Sequence, residues 1–208
     1  MIRIIAICLV STSAFAQNNT VNFREKVAFG FKVGGNFSNI YDAEGEEFSA
    51  DGKYGLAAGI FVAIPFGSFI GLQPEIMYSQ KGHKATGELL GASYSFVRTT
   101  EFIDVPLHLT IKPAEFITIL AGPQLSFLIK QRDVFTNSVT SVEQEAEFKN
   151  DNIRKNILGF SGGIDFNFNH LVVGTRVGFD IQDNNGNGTS TKPRYKNTLV
   201  QATLGFRF

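Results

Sequence analysis

Residues 197–208 read NTLVQATLGFRF, and their alternation decides the fold. Thr198, Val200, Ala202, Leu204, Phe206 and Phe208 hold the even positions and are mostly apolar or aromatic. Asn197, Gln201, Thr203, Gly205 and Arg207 hold odd ones and are polar or small. A period of two is the mark of a strand with one apolar face. The stretch stops on Phe208 with Phe206 and Leu204 behind it on the same face, as the closing strand of an outer-membrane β-barrel does. Leu204, Phe206 and Phe208 are therefore the expected signal to the barrel-assembly machinery.

The same period recurs upstream. Residues 29–38 (FGFKVGGNFS) set Phe29, Phe31, Val33 and Phe37 against Gly30, Lys32, Gly34, Asn36 and Ser38. Residues 54–64 put Tyr54, Leu56, Ile60 and Val62 outward against Gly55, Ala57, Gly59 and Phe61. Residues 69–80 oppose Leu72, Pro74, Ile76 and Tyr78 to Gln73, Glu75, Met77 and Ser79. The fourth strand is clearest over 102–111, the fifth spans 116–129, the sixth 156–166 and the seventh 171–181; residues 197–208 make the eighth. Residues 41–52, 81–92, 130–152 and 182–196 read as long polar loops, whereas 65–68, 112–115 and 167–170 read as tight turns from their Pro, Gly and Asn content.

Eight strands joined by alternately long and short connections predict an all-β fold, an eight-stranded antiparallel up-and-down transmembrane β-barrel. Each strand is long enough for the roughly 9–11 residues that a tilted crossing needs. An even strand number places both termini on the periplasmic side, and four long loops outside. Eight strands leave an interior just wide enough for side chains, so a filled lumen is expected rather than a wide pore.

Composition agrees. The 208 residues include 19 Lys and Arg against 19 Asp and Glu, only 18% charged in all. That balance argues against a general phosphate-binding surface, and no nucleic-acid partner is expected. The 21 Phe and 21 Gly suit strands with large outward rings and small inward residues. No apolar run approaches the roughly 18 residues of a spanning helix.

Residues 1–16 order a basic Arg3, an apolar run from Ile4 to Val10 and an Ala14-Phe15-Ala16 ending, which reads as a secretory signal peptide. Residues 17–28 are then a periplasmic N-terminal leader, and 29–208 the barrel domain. Cys8, the one cysteine, falls in the signal, so the exported chain would hold no disulfide.

Several blocks carry a family resemblance. Residues 73–82 (QPEIMYSQKG), 102–107 (FIDVPL), 121–123 (AGP) and 174–176 (GTR) resemble the PorT-like, "porin family" outer-membrane β-barrels of Bacteroidota, across nearly the whole exported chain. The sequence departs at Asp104, where the family usually looks like Glu. The resemblance implies an eight-stranded barrel of mostly unassigned role, one branch of which is linked to secretion across the outer membrane.

Lys32, Glu75, Asp104, His108 and Arg176 all fall on inward positions of different strands. Charges in a narrow lumen must pair or be hydrated, so these five are expected to form a polar network that fills the barrel. A proton or solute path is the alternative, with Glu75 and Arg176 as the residues to test. A Ser-His-acid site needs three groups within reach of one another; His83 with Ser79 or Ser93 and Glu88 is the one arrangement to consider. Residues 183–188 (DNNGNG) open like a calcium loop, but the position for the bidentate Glu is Arg194, so that reading fails. No cofactor or metal is expected.

The chain is thus expected to be a monomeric, non-enzymatic outer-membrane barrel in contact with lipid. Its role would be structural or an interaction with an extracellular or envelope protein. An exported soluble barrel of lipocalin type is the alternative, with its apolar face inside. A lipid-modifying hydrolase is the third.

Overall fold

The computed structural model describes residues 23–44, 49–89, 92–137, 141–146, 154–184 and 194–208. The expected signal peptide lies outside them. The strands are β1 (Ala28–Glu44), β2 (Ser49–Pro65), β3 (Ile70–Leu89), β4 (Ala92–Ala114), β5 (Ile117–Asn137), β6 (Ser141–Ala146), β7 (Asn156–Phe168), β8 (Leu171–Asp180) and β9 (Arg194–Arg207). All pairings are antiparallel, and the order β4-β3-β2-β1-β9-β8-β7-β5 returns to β4 through the β4–β5 ladder. Eight strands make the ring. β6 stands outside it and, among the described residues, pairs with β5 alone.

The ring closes where the sequence pattern is cleanest. β1 pairs with β9 with Phe31 opposite Phe206 and Val33 opposite Leu204. Two outward ring pairs reinforce the seam, Phe31 with Phe206 at 6.2 Å between centroids and Phe29 with Phe208 at 5.2 Å. Such cross-strand pairs fix register, because a slip by one residue would turn every ring of β9 into the lumen. Gly34 lets the two strands approach: a Cβ there would run into the Ala202 carbonyl oxygen and sit 2.7 Å from the Thr203 Cα.

Apolar residues face outward around the ring. Val33, Leu56, Ile60, Ile76, Leu109, Leu125, Val177 and Leu204 are all exposed, and along β8 exposed and buried residues alternate one by one. Aromatic side chains ring both ends of this belt. Phe29, Phe66, Phe69, Phe116, Phe168 and Phe208 stand exposed at the short-turn end, and Phe37, Tyr41, Tyr54, Phe127 and Phe179 toward the other. An apolar band between two aromatic girdles is the exterior of a transmembrane barrel. A lipocalin has the reverse arrangement, so the soluble-barrel expectation does not fit. No helix among the described residues is long and apolar enough to cross a membrane.

Three expected loops are largely strand. The β3–β4 ladder continues beyond the belt from Gln80 opposite Glu101 up to Leu89 opposite Ala92, and β4–β5 continues to Tyr94 opposite Asn137. Residues 41–52 likewise belong mostly to β1 and β2, and β6 extends β5 with Gln131 opposite Ala146 and Thr136 opposite Ser141. Above the membrane a hairpin has no lipid side. On its β3 side, Lys81 to Glu88, no apolar alternation runs, so hydropathy does not announce the strand there. Residues 183–188, whose calcium-loop reading already fails at Arg194, lie mostly outside the described residues.

Candidate functional site

The lumen is lined by the small and polar inward positions, and charged side chains meet along it. Glu75 is the hub. Its Oε1 lies 2.7 Å from the Lys32 Nζ, 2.9 Å from the Gln73 Nε2, and 3.5 Å from both the Arg176 Nη2 and the His108 Nδ1. β1, β3, β4 and β8 are thereby tied to one carboxylate. Lys32, Glu75 and Arg176 are each under 5% exposed. At such burial a charge requires both a partner and hydrogen bonds.

Each member is held from behind as well. Arg176 makes a two-pronged contact with Asp165, Nη1 to Oδ1 at 2.7 Å and Nη2 to Oδ2 at 2.9 Å, the fork geometry that distinguishes arginine from lysine. The β7–β8 register, with Gly163 opposite Arg176 and Asp165 opposite Gly174, leaves room for it. His108 Nε2 lies 2.8 Å from Ser161 Oγ. The Lys32 ammonium sits 5.1 Å from the centroid of the Phe61 ring.

Asp104 belongs to a second level. It receives the Lys81 Nζ at 3.1 Å, and Lys81 also donates to Ser126 Oγ at 3.3 Å while lying 4.6 Å over the Phe102 ring. Asn36 links this region to the closing strand, donating to Ser79 Oγ at 2.9 Å and accepting from Gln201 Nε2 at 2.9 Å. Asp180 accepts from the Asn197 side chain and backbone, and Tyr41 donates its hydroxyl to the Asp180 carbonyl. Between the two levels a cavity of about 20 Å³ is bordered by Glu75, Asp104, His108 and Arg176, room for about one water.

The structure therefore brings Lys32, Glu75, His108 and Arg176 together and sets Asp104 apart with Lys81. Sequence reasoning left out Asp165 and Lys81. Asp165 was legible as an inward residue of its strand; Lys81 was hidden in a stretch read as a loop.

The histidines do not form a hydrolytic site among the described residues. His83 is buried beyond the belt, edge-on to Tyr195 at 5.3 Å. Ser79 is engaged by Asn36 instead; the side chains of Glu88 and Ser93 lie outside the described residues. Burial first, and the nearby Arg98 guanidinium second, lower the His83 imidazole to about 4. Arg98 grips Asp133 with two bonds of 2.8 Å and reaches Tyr195 Oη at 3.3 Å. His170 Nδ1 lies 2.7 Å from the Arg207 carbonyl, its ring stacked on Phe206. No cluster of three His, Cys, Asp or Glu that could hold a metal occurs among the described residues.

At the short-turn end the residues preceding β1 turn back across the mouth. Phe23 is buried under the Arg207 guanidinium, 4.2 Å from ring centroid to Cζ. Arg24 donates to the carbonyls of Ser68 and Lys112 at 3.0 and 2.8 Å, and Lys112 Nζ donates to the Arg24 carbonyl at 3.1 Å. What reads in the sequence as a plain polar leader is, from Phe23 onward, part of the barrel's end.

Comparison with known proteins agrees with this architecture. The chain is similar in fold to Ail, the attachment invasion locus protein of Yersinia pestis, at a TM-score of 0.51 and 13% identity, over 88% of this chain and 99% of that one. A second structure of Ail, in complex with the heparin analogue sucrose octasulfate, gives a TM-score of 0.52 at the same identity and coverage. Neisserial surface protein A aligns at 10% identity and a TM-score of 0.48, over 88% of this chain and 100% of that one. The comparison with curated proteins returns no match. The family model described as outer membrane protein beta-barrel domain matches residues 15–205. With a closed ring, an apolar belt and a match over nearly its whole length, the chain belongs to the outer membrane protein beta-barrel domain family.

Proposed function

We propose that this barrel is a non-enzymatic interaction protein whose contacts are made by the sheet standing beyond the belt, while the ion network in the lumen is a strut. The observation that carries this reading is the β3–β4–β5–β6 sheet, which continues past the ring with β6 paired, among the described residues, on one side only. An open strand edge away from the membrane offers backbone groups to which a partner's strand can add. The lumen, by contrast, is crossed by salt bridges that a solute would have to break.

In this reading the short turns and both termini are periplasmic, the sheet is extracellular, and residues 1–16 are a removed signal peptide. The barrel is inserted as a monomer by the assembly machinery through Leu204, Phe206 and Phe208. The blocks that resemble PorT-like barrels of Bacteroidota coincide with the lumen lattice, since Gln73, Glu75, Lys81, Phe102, Asp104 and Arg176 all lie in them; this supports placing the chain among those barrels. Partners are extracellular or envelope proteins, a secretion assembly among them.

The test is to trim the sheet. Joining residue 131 to residue 146, which face each other across the β5–β6 ladder, through an Asn-Gly turn removes the β6 edge and leaves the belt intact. The trimmed chain should keep its heat-dependent gel shift but lose any larger complex seen on native gels of outer membranes, together with attachment of the cells that carry it. Unchanged complexes and attachment would contradict the proposal.

A further inference from the structure

Phe23 and Arg24 stand just ahead of β1, and between them they reach both halves of the ring. Arg24 turns toward the early strands, with Nε on the Ser68 carbonyl of the β2–β3 turn and Nη2 on the Lys112 carbonyl near the end of β4. Phe23 turns toward the late ones. It is 7% exposed, lies under the Arg207 guanidinium at the end of β9, and meets His170 of the β7–β8 turn edge-on at 5.4 Å between centroids.

The seat of Phe23 is built on β9. Arg207 donates through Nε to the Asn169 carbonyl at 2.8 Å and through Nη1 to Asn167 Oδ1 at 3.1 Å. Its backbone N–H donates to the His170 carbonyl at 2.8 Å, and the His170 ring stacks on Phe206 at 5.3 Å.

That seat is out of reach until the ring closes. Around the ring each strand pairs with the next ring strand in sequence, and only the β1–β9 seam joins the first to the last. In an open sheet of these strands β1 and β9 are the two edges. Eight strands put seven steps of about 4.8 Å between them, about 34 Å in all. From Phe23 to Ala28, where β1 begins, the five residue steps span at most about 18 Å. The contacts of Phe23 with Arg207 and His170 therefore belong to the closed ring.

We propose that Phe23 and Arg24 are a clip that engages after β1 and β9 have paired and locks the seam. The clip is absent from the transition state for closure and must release before the two strands part. A contact of that kind slows unfolding without speeding folding.

The experiment uses the chain purified from outer membranes, unfolded in urea, refolded into phosphatidylcholine vesicles and then unfolded again, each step timed by the heat-dependent gel shift. Phe23→Ala should unfold about a hundredfold faster than wild type, as for loss of a buried ring. Arg24→Ala should unfold about tenfold faster, as for loss of hydrogen bonds from a charged group. Folding rates of both should stay within about twofold of wild type. Phe23→Tyr, which keeps a ring under Arg207, should unfold as slowly as wild type. Amide exchange locates the effect. The Arg207 and Phe208 N–H groups, bonded to the His170 and Phe29 carbonyls, should exchange faster in Phe23→Ala, while Phe66, bonded to the Ile70 carbonyl in the β2–β3 turn, keeps its rate. Unchanged unfolding rates overturn the proposal. So does folding slowed as much as unfolding is quickened, or a Phe23→Ala chain that never gives the folded band, since either makes the segment part of closure itself.

Discussion

Arg176 and Glu75 meet 3.5 Å apart across the lumen, 101 residues apart in sequence and on strands that stand opposite each other in the ring. The contact is a strut. Glu75 also holds Lys32, and Arg176 also holds Asp165, so one line of charges spans β1, β3, β8 and β7.

Removing one end of a buried pair leaves an uncompensated charge. Glu75→Ala strands Lys32, and Arg176→Ala strands Asp165; each should destabilise the barrel by about 3–5 kcal/mol. Combining Glu75→Ala with Lys32→Ala should cost less than the sum of the two single changes, because the stranded cation goes with its partner. Denaturant unfolding in detergent or lipid measures all of these, and unchanged midpoints in both single variants would refute the pairing.

Close approach at the seam gives a second prediction. Gly34→Ala puts a Cβ into the Ala202 carbonyl, whereas at Gly35 the nearest atom to an added Cβ is 3.5 Å away and the residue is exposed. Gly34→Ala should abolish or slow closure, seen as loss of the folded band on an unboiled gel. Gly35→Ala should leave that band unchanged.

The β3–β4 extension should loosen in acid. His83 is held near 4 in the fold, below the ordinary imidazole value of about 6.5. The opened state therefore binds more protons between those values, and stability is full above about pH 6.5 and falls as pH drops toward 4, by about 3 kcal/mol at most. Hydrogen exchange along residues 80–100 should quicken over that window while the belt stays protected. His83→Phe, which cannot be protonated, should flatten the dependence.

Arg98 and Asp133 face each other across the β4–β5 ladder with a two-bond grip. Lysine cannot reproduce that fork. Arg98→Lys should weaken the extension by about 1 kcal/mol, with faster exchange at residues 95–100 and no loss of the barrel's gel shift.

How much of this was legible in the sequence follows from where lipid lies. Within the belt, Val200 and Leu204 must point to lipid and Gln201 and Thr203 inward, so alternation reveals strand and face together. Beyond the belt the same backbone pairing continues, but Lys84 and Thr86 face water and nothing apolar marks the period. Thus β3 reads as ending at Gln80 while it runs to Leu89, and β6 goes unread. In the lumen, strand parity delivers Lys32, Glu75, His108 and Arg176 as inward residues. Partnership does not follow from parity. That Arg176 grips Asp165, and that Asp104 takes Lys81, depends on register and relative height, which the ladders set through turns and seams far from those residues.

The most direct measurement of the central claim, a closed barrel with its apolar belt in lipid and its long sheet in water, uses the absence of tryptophan from the chain. Single Trp residues at Leu204 or Leu125, both exposed on the belt, and at Lys84, exposed on the extension, are compared in bilayers containing brominated lipid. Strong quenching and blue-shifted emission at positions 204 and 125, with water-like, unquenched emission at 84, is the expected result. Water-like emission at 204 and 125 would contradict the claim and reverse the two faces of the barrel.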